Sequence, residues 1–211
     1  GLDAIAVGNI GVPVLDVLTQ ISKEDRALPD VFVIEMSSFQ IDTTYSFDFD
    51  AVTVLNISED HLDRYPSFDA YVASKCRIYS GRGVRVVNRD DPMVYGAIPM
   101  LDSVVSFGLS RPTGHGEWGV DEVDGDLWLM CGKEKVCRSA ELKVSGSHNV
   151  SNALAALALS SAVLVRREGL ASGLLSYEGL DHRMQWVAGV EGVHFYNDSK
   201  ATNVGATLAA I

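Results

Sequence analysis

The feature that most limits the fold is a series of short, mainly apolar runs: Ala4 to Val7, Val31 to Ile34, Ala51 to Leu55 with Thr53 inside it, and Val84 to Val87 with Arg85 inside it. Each is bounded by polar or turn-forming residues, the pattern of parallel strands buried on both faces. Helical stretches separate them, among them Val12 to Leu18, with Pro13 in its first turn, and Ser67 to Tyr79. The alternation predicts an α/β fold with a mainly parallel sheet flanked by helices. After Phe107 the pattern changes to short alternating runs with turns at Asp124-Gly125 and Gly132-Lys133, which predict a small antiparallel hairpin layer. Asn149 to Val165 reads as an Ala/Leu-rich helix preceded by a Gly146-Ser147 cap. The stretch Gly179-Leu180-Asp181-His182-Arg183 reads as a connector, followed by one strand, a polar loop and the first turns of another helix.

Composition excludes several functions. With 47% hydrophobic and 21% charged residues, the chain is globular. A net charge of -11 repels nucleic acid and anionic membrane, so a polyphosphate ligand has to be met by local cations, helix N-termini or a metal. Three cysteines, Cys76, Cys131 and Cys137, lack the close pairs of a zinc site and fit a reduced cytosol. The longest apolar run, Ala153 to Val165, contains Ser160 and Ser161 and is too short to span a bilayer. No signal-peptide pattern opens the chain, and a cytoplasmic location is expected.

Four segments concentrate chemistry. Glu35 ends a predicted strand, where open parallel sheets place their ligand crevice, and His61 follows the next strand by a short loop. A carboxylate and an imidazole arriving at one sheet edge suit a hard divalent cation such as Mg²⁺; the alternative is a helix cap and a loop histidine. Lys75 falls on the helix after His61, where most lysines are solvated. Asn149 and Asn152 project from one face of a helix start, as ligand contacts or as ordinary caps. Phe195-Tyr196-Asn197-Asp198-Ser199-Lys200-Ala201-Thr202-Asn203 places an acid, a lysine, hydroxyls and carboxamides behind an apolar strand, either to hold a polar ligand or as a capped strand-turn-helix junction.

Taken together, Glu35-Met36-Ser37-Ser38-Phe39-Gln40, Glu59-Asp60-His61-Leu62-Asp63-Arg64-Tyr65 with Lys75, Ser147-His148-Asn149-Val150-Ser151-Asn152 and the Asp198 loop resemble the Mur ligases, ATP-dependent amide-bond-forming enzymes of peptidoglycan synthesis. The resemblance covers essentially the whole chain. It implies a Mur central domain over residues 1–182 and the start of a C-terminal ligase domain over 183–211. It further implies Mg²⁺ on Glu35 and His61, a carbamylated Lys75 supporting a second Mg²⁺, and catalytic roles for His61 and Lys75. ATP is expected against Asn149, Asn152, Arg183, Asp198, Lys200 and Thr202, with Asp198 on the ribose, and the muramoyl substrate against Asn9, Ser37 and Gln40.

The wording is nearest to the branch that adds D-glutamate to UDP-N-acetylmuramoyl-L-alanine. Another Mur or folylpolyglutamate-type ligase and a non-catalytic nucleotide-binding module are the alternatives. The chain departs from the family in having no Gly-x-x-x-x-Gly-Lys-Thr/Ser loop, since Gly132-Lys133 is followed by Glu134. It is therefore expected to be a central-domain fragment that does not ligate alone. Oligomeric state is not legible.

Overall fold

The computed structural model describes residues 2–98, 104–163, 167–202 and 204–210. The chain divides into two compact units, Gly1–Ser46 and Phe47–Ile211. In the first, β1 (Ala4–Gly8) and β2 (Val31–Glu35) pair in parallel, with Gly8 opposite Glu35, and α1 (Val14–Lys23) connects them. Pro13 precedes α1, its ring presetting the backbone for a helix start. Val17 and Ile21, one turn apart, bury against Val7. The short helix α2 (Ser38–Asp42) follows β2. Contrary to the expectation of a strand buried on both faces, Val33 and Ile34 of β2 are exposed.

The second unit carries a six-stranded sheet in the order of the chain: β3 (Ala51–Val54), β4 (Val84–Asn88), β5 (Val104–Phe107), β6 (Glu117–Val123), β7 (Asp126–Cys131) and β8 (Glu134–Arg138). β3 through β6 are parallel, the last pair over Ser106–Glu117 and Phe107–Trp118 only, and β6, β7 and β8 form the antiparallel layer. The β6–β7 turn places Asp124 and Gly125 at φ 57° and 85°, the two left-handed positions that an Asp-Gly pair adopts at low cost. Of the helices, α3 (Phe68–Cys76) and α4 (Pro92–Gly96) link the first parallel strands, and α3 runs into a 3₁₀ turn, Arg77–Ser80.

Strand alternation explains the apolar runs. Val86 joins the cluster of Phe107, Trp118, Leu129, Val150 and Leu154, whereas Val87 joins Val52, Val54, Tyr79 and Val94. Neighbouring side chains, Val86 and Val87, thus enter cores on opposite faces, and both positions are apolar. The first core is closed by α5 (Ser147–Ala162), which packs across β3, β4, β5 and β6. Its alanines bring the helix axis close to the sheet, and α6 (Arg167–Ser176) packs beside it. The predicted helical positions 164 and 165 lie outside the described residues.

Tyr79 ties the two parallel strands nearest the sheet edge. Its phenol accepts from the N–H of Val54 at 2.8 Å and donates to the carbonyl of Val86 at 3.1 Å. Burial pushes this phenol far up, so it remains a neutral donor. Tyr79→Phe leaves the Val54 N–H and the Val86 carbonyl without this partner and is expected to cost about 1–3 kcal/mol in urea unfolding. A loss below about 0.5 kcal/mol would show that the hydroxyl does not carry these strands.

The expected single strand after the connector is a hairpin, β9 (Gln185–Val190) and β10 (Val193–Asn197), followed by α7 (Val204–Ala210). Glu191 and Gly192, at φ 49° and 82°, make its turn. Two apolar runs separated by a pair ending in Gly are a hairpin signal, concealed here because Glu is an unusual first residue for such a turn. Among the described residues, no helix is long and apolar enough to cross a membrane.

Candidate active site

Glu35 sits where its neighbours allow close approach. Gly8, at φ 113°, lies against the end of β2, and a Cβ there would stand 2.3 Å from the Glu35 carbonyl. Behind it, Asn9 donates its N–H to the Glu35 carbonyl at 2.8 Å and its Nδ2 to Oε1 at 3.3 Å. The predicted metal ligand and the predicted substrate contact are therefore neighbours. Oε2 of Glu35 accepts no hydrogen bond among the described residues. Ser37 and Gln40 are joined in a capping box at the start of α2: Ser37 Oγ accepts from the Gln40 N–H, and the Ser37 N–H donates to Oε1 at 2.9 Å. Gln40 Nε2 remains for other contacts.

In the second unit, the loop that carries His61 is pinned from β4. Asn88 donates to the Leu55 carbonyl at 2.7 Å, and Asp91, which also caps α4, accepts from the Ile57 N–H at 2.7 Å. His61 adopts φ 53°, a conformation uncommon outside glycine, with its N–H on Asp60 Oδ1 at 2.8 Å. Beneath it lies Tyr71 of α3, which no motif in the sequence marks. Its ring meets His61 edge-on at 6.3 Å and Tyr65 at 5.2 Å, and the Lys75 ammonium sits 5.1 Å from its centroid. Burial, with Asp60 and Tyr65 nearby, pushes the Tyr71 phenol up and keeps it neutral. His61 and Lys75, 14 positions apart in the chain, thus share one aromatic floor; Tyr71 and Lys75 meet because they are i and i+4 on one helix.

The connector and the Asp198 loop form a third cluster. Asp198 Oδ1 accepts from the Met184 N–H at 3.0 Å, and the His182 carbonyl accepts from the Lys200 N–H at 3.1 Å. Arg183, exposed, stands between His182 and Met184, both left-handed at φ 66° and 44°. Such positions cost on the order of 1–3 kcal/mol each and persist where surrounding bonds hold them. Lys200 and Thr202 are exposed on the same loop, and Asn203 lies outside the described residues.

Asn149 and Asn152 line a groove of about 520 Å³ between α5 and α6, whose other walls include Val144, Ala156, Leu157, Leu174 and Tyr177. Asn149 donates Nδ2 to the Ser145 carbonyl at 2.7 Å, which ties its side chain to the segment before the helix. The exposed amide of Asn152 makes no hydrogen bond among the described residues. Among the described residues Cys76, Cys131 and Cys137 form no disulfide, and burial pushes Cys76 and Cys137 up to about 11, so both stay thiols at neutral pH. Among the described residues, no three His, Cys, Asp or Glu side chains gather as a metal cage.

An open, largely parallel α/β sheet places its ligand crevice beyond the carboxyl ends of its strands. Residues 13–160 match the family described as the Mur ligase middle domain, and the chain belongs to that family. Over its whole length it is 46% identical to the UDP-N-acetylmuramoylalanine--D-glutamate ligase of Nitrosococcus oceani, covering 45% of that protein. It is 48% identical to the enzyme of the same name from Thiobacillus denitrificans, covering 44%. The chain thus spans less than half the length of these curated relatives. A crystal structure of MurF from Acinetobacter baumannii shares the fold, with a TM-score of 0.65 at 21% identity over 99% of this chain and 52% of that one.

Proposed function

We propose that this chain is the ATP-handling core of a cytoplasmic ligase that joins D-glutamate to UDP-N-acetylmuramoyl-L-alanine in peptidoglycan synthesis. The observation that supports this most is the identity of 46% and 48%, along the whole chain, with relatives that carry that name. In this reading residues 1–182 form the central domain and 183–211 begin the next.

The reaction transfers the γ-phosphoryl group of ATP to the substrate carboxylate, giving an acyl phosphate and ADP. The D-glutamate amine then attacks the acyl carbon, phosphate leaves, and the amine gives up a proton as the amide forms. Asn9 holds the Glu35 carboxylate in place through Oε1. A set of one carboxylate and one imidazole suits Mg²⁺, which takes few protein ligands and keeps the rest of its shell for water and phosphate. Glu35 and His61 would hold it, with Lys75, once carbamylated, offering a further carboxylate. When bound, the ion neutralises charge on the transferred phosphoryl group. Asn149, Asn152, Arg183, Asp198, Lys200 and Thr202 bind ATP, and Asn9, Ser37 and Gln40 face the muramoyl substrate.

The test is ATP-dependent phosphate release by the full-length protein, expected only when both UDP-N-acetylmuramoyl-L-alanine and D-glutamate are present. Release with a different amino acid in place of D-glutamate would assign another acceptor. Absence of any turnover with bound ATP would assign a non-catalytic module. Asp198→Asn keeps an acceptor for the Met184 N–H while removing the charge that suits a ribose diol. It is expected to raise the Michaelis constant for ATP roughly tenfold. An effect confined to D-glutamate would contradict the ribose role.

A further inference from the structure

We infer that Asn197 and His182 are positioning residues: their side chains clasp the connector to the Asp198 loop and so hold Arg183 and Lys200 ready for a nucleoside triphosphate. This rests on the nucleotide reading of that loop. Asn197 Nδ2 lies 2.8 Å from His182 Nδ1. The direction of that bond follows from a second one, because the Ser199 N–H donates to Asn197 Oδ1 at 3.2 Å. With Oδ1 turned to Ser199, the amide presents Nδ2 to the ring, and Nδ1 must accept, leaving the ring proton on Nε2.

The clasp adds to the two main-chain ties already described, Met184 to Asp198 and Lys200 to His182. Three connections therefore bracket Arg183 on both sides, at the two residues whose left-handed backbone most needs support. Arg183 and Lys200 are exposed, and among the described residues neither side chain forms an ion pair. In a chain of net charge -11, a triphosphate has to find its cations gathered and held. A loose connector would have to be ordered on binding, and that entropy would be subtracted from affinity.

Two variants of the full-length protein separate the halves of the clasp. Asn197→Ala removes the donor. His182→Gly removes the acceptor while favouring the left-handed backbone, so a loss there does not come from strain. In both, amide hydrogen exchange at Met184 and Lys200 is expected to rise roughly five- to tenfold, with Leu154 in the sheet core unchanged. ATP affinity should fall by about the same factor and adenosine affinity by less than about twofold, because the displaced cations face phosphate. Unchanged exchange in both variants overturns the clasp. Faster exchange with ATP and adenosine weakened equally, or neither weakened, overturns the positioning role. If the unmutated protein binds no ATP, the nucleotide reading falls by itself, and the exchange measurement still decides the clasp.

Discussion

Lys75→Ala is expected to lower ligation by at least about two orders of magnitude, the scale seen when a group that stabilises transition-state charge is removed. The same change should cost the fold only about 1 kcal/mol, because Ala is a good helix former and a cation–ring contact such as that over Tyr71 is worth about that much. Lys75 occupies the last turn of α3, half-buried, so truncation opens no cavity in the core. Carbamylation would make the side chain anionic and end its attraction to the ring face. Turnover and urea unfolding, measured on one preparation, separate the two effects. Near-normal turnover would return Lys75 to an ordinary lysine packed on an aromatic ring.

Leu154→Ala should produce the largest loss of stability, about 3 kcal/mol within a range of 2–5, since a fully buried leucine leaves a cavity as well as losing its transfer energy. Leu154 has no exposed surface and lies in the cluster with Phe107, Trp118 and Leu129, between α5 and the sheet. Domains of this size are stable by only about 5–15 kcal/mol, so the substitution would remove a large fraction. The urea midpoint is the measurement. A shift worth less than about 1 kcal/mol would mean that α5 does not close this core.

The mainly parallel sheet was legible because burial on both faces leaves a local mark, mainly apolar runs such as Val84 to Val87, interrupted only by Arg85. The β6–β7 hairpin was legible in Asp124-Gly125, since the turn geometry selects those residue types directly. The hairpin after the connector was read as one strand, because Glu191 does not advertise a left-handed turn. Here the pairing of β9 with β10 sets the backbone, overriding the preference of the residue.

The candidate site divides in the same way. Motif wording placed Glu35, His61, Lys75 and Asp198 within reach of a resemblance, because those residue types and their order are properties of the chain itself. Tertiary structure alone decided that His61 stands against Tyr71, the ring that Lys75 already meets one helical turn away, and that Asn88 and Asp91 anchor the loop before His61. It alone set Asp198 on the Met184 amide and turned Asn197 toward His182. The physical reason is range. Periodicity and turn chemistry record what a residue needs from its immediate backbone and its degree of burial, whereas a hydrogen bond between positions 14 or 33 apart exists only once the chain has folded back on itself.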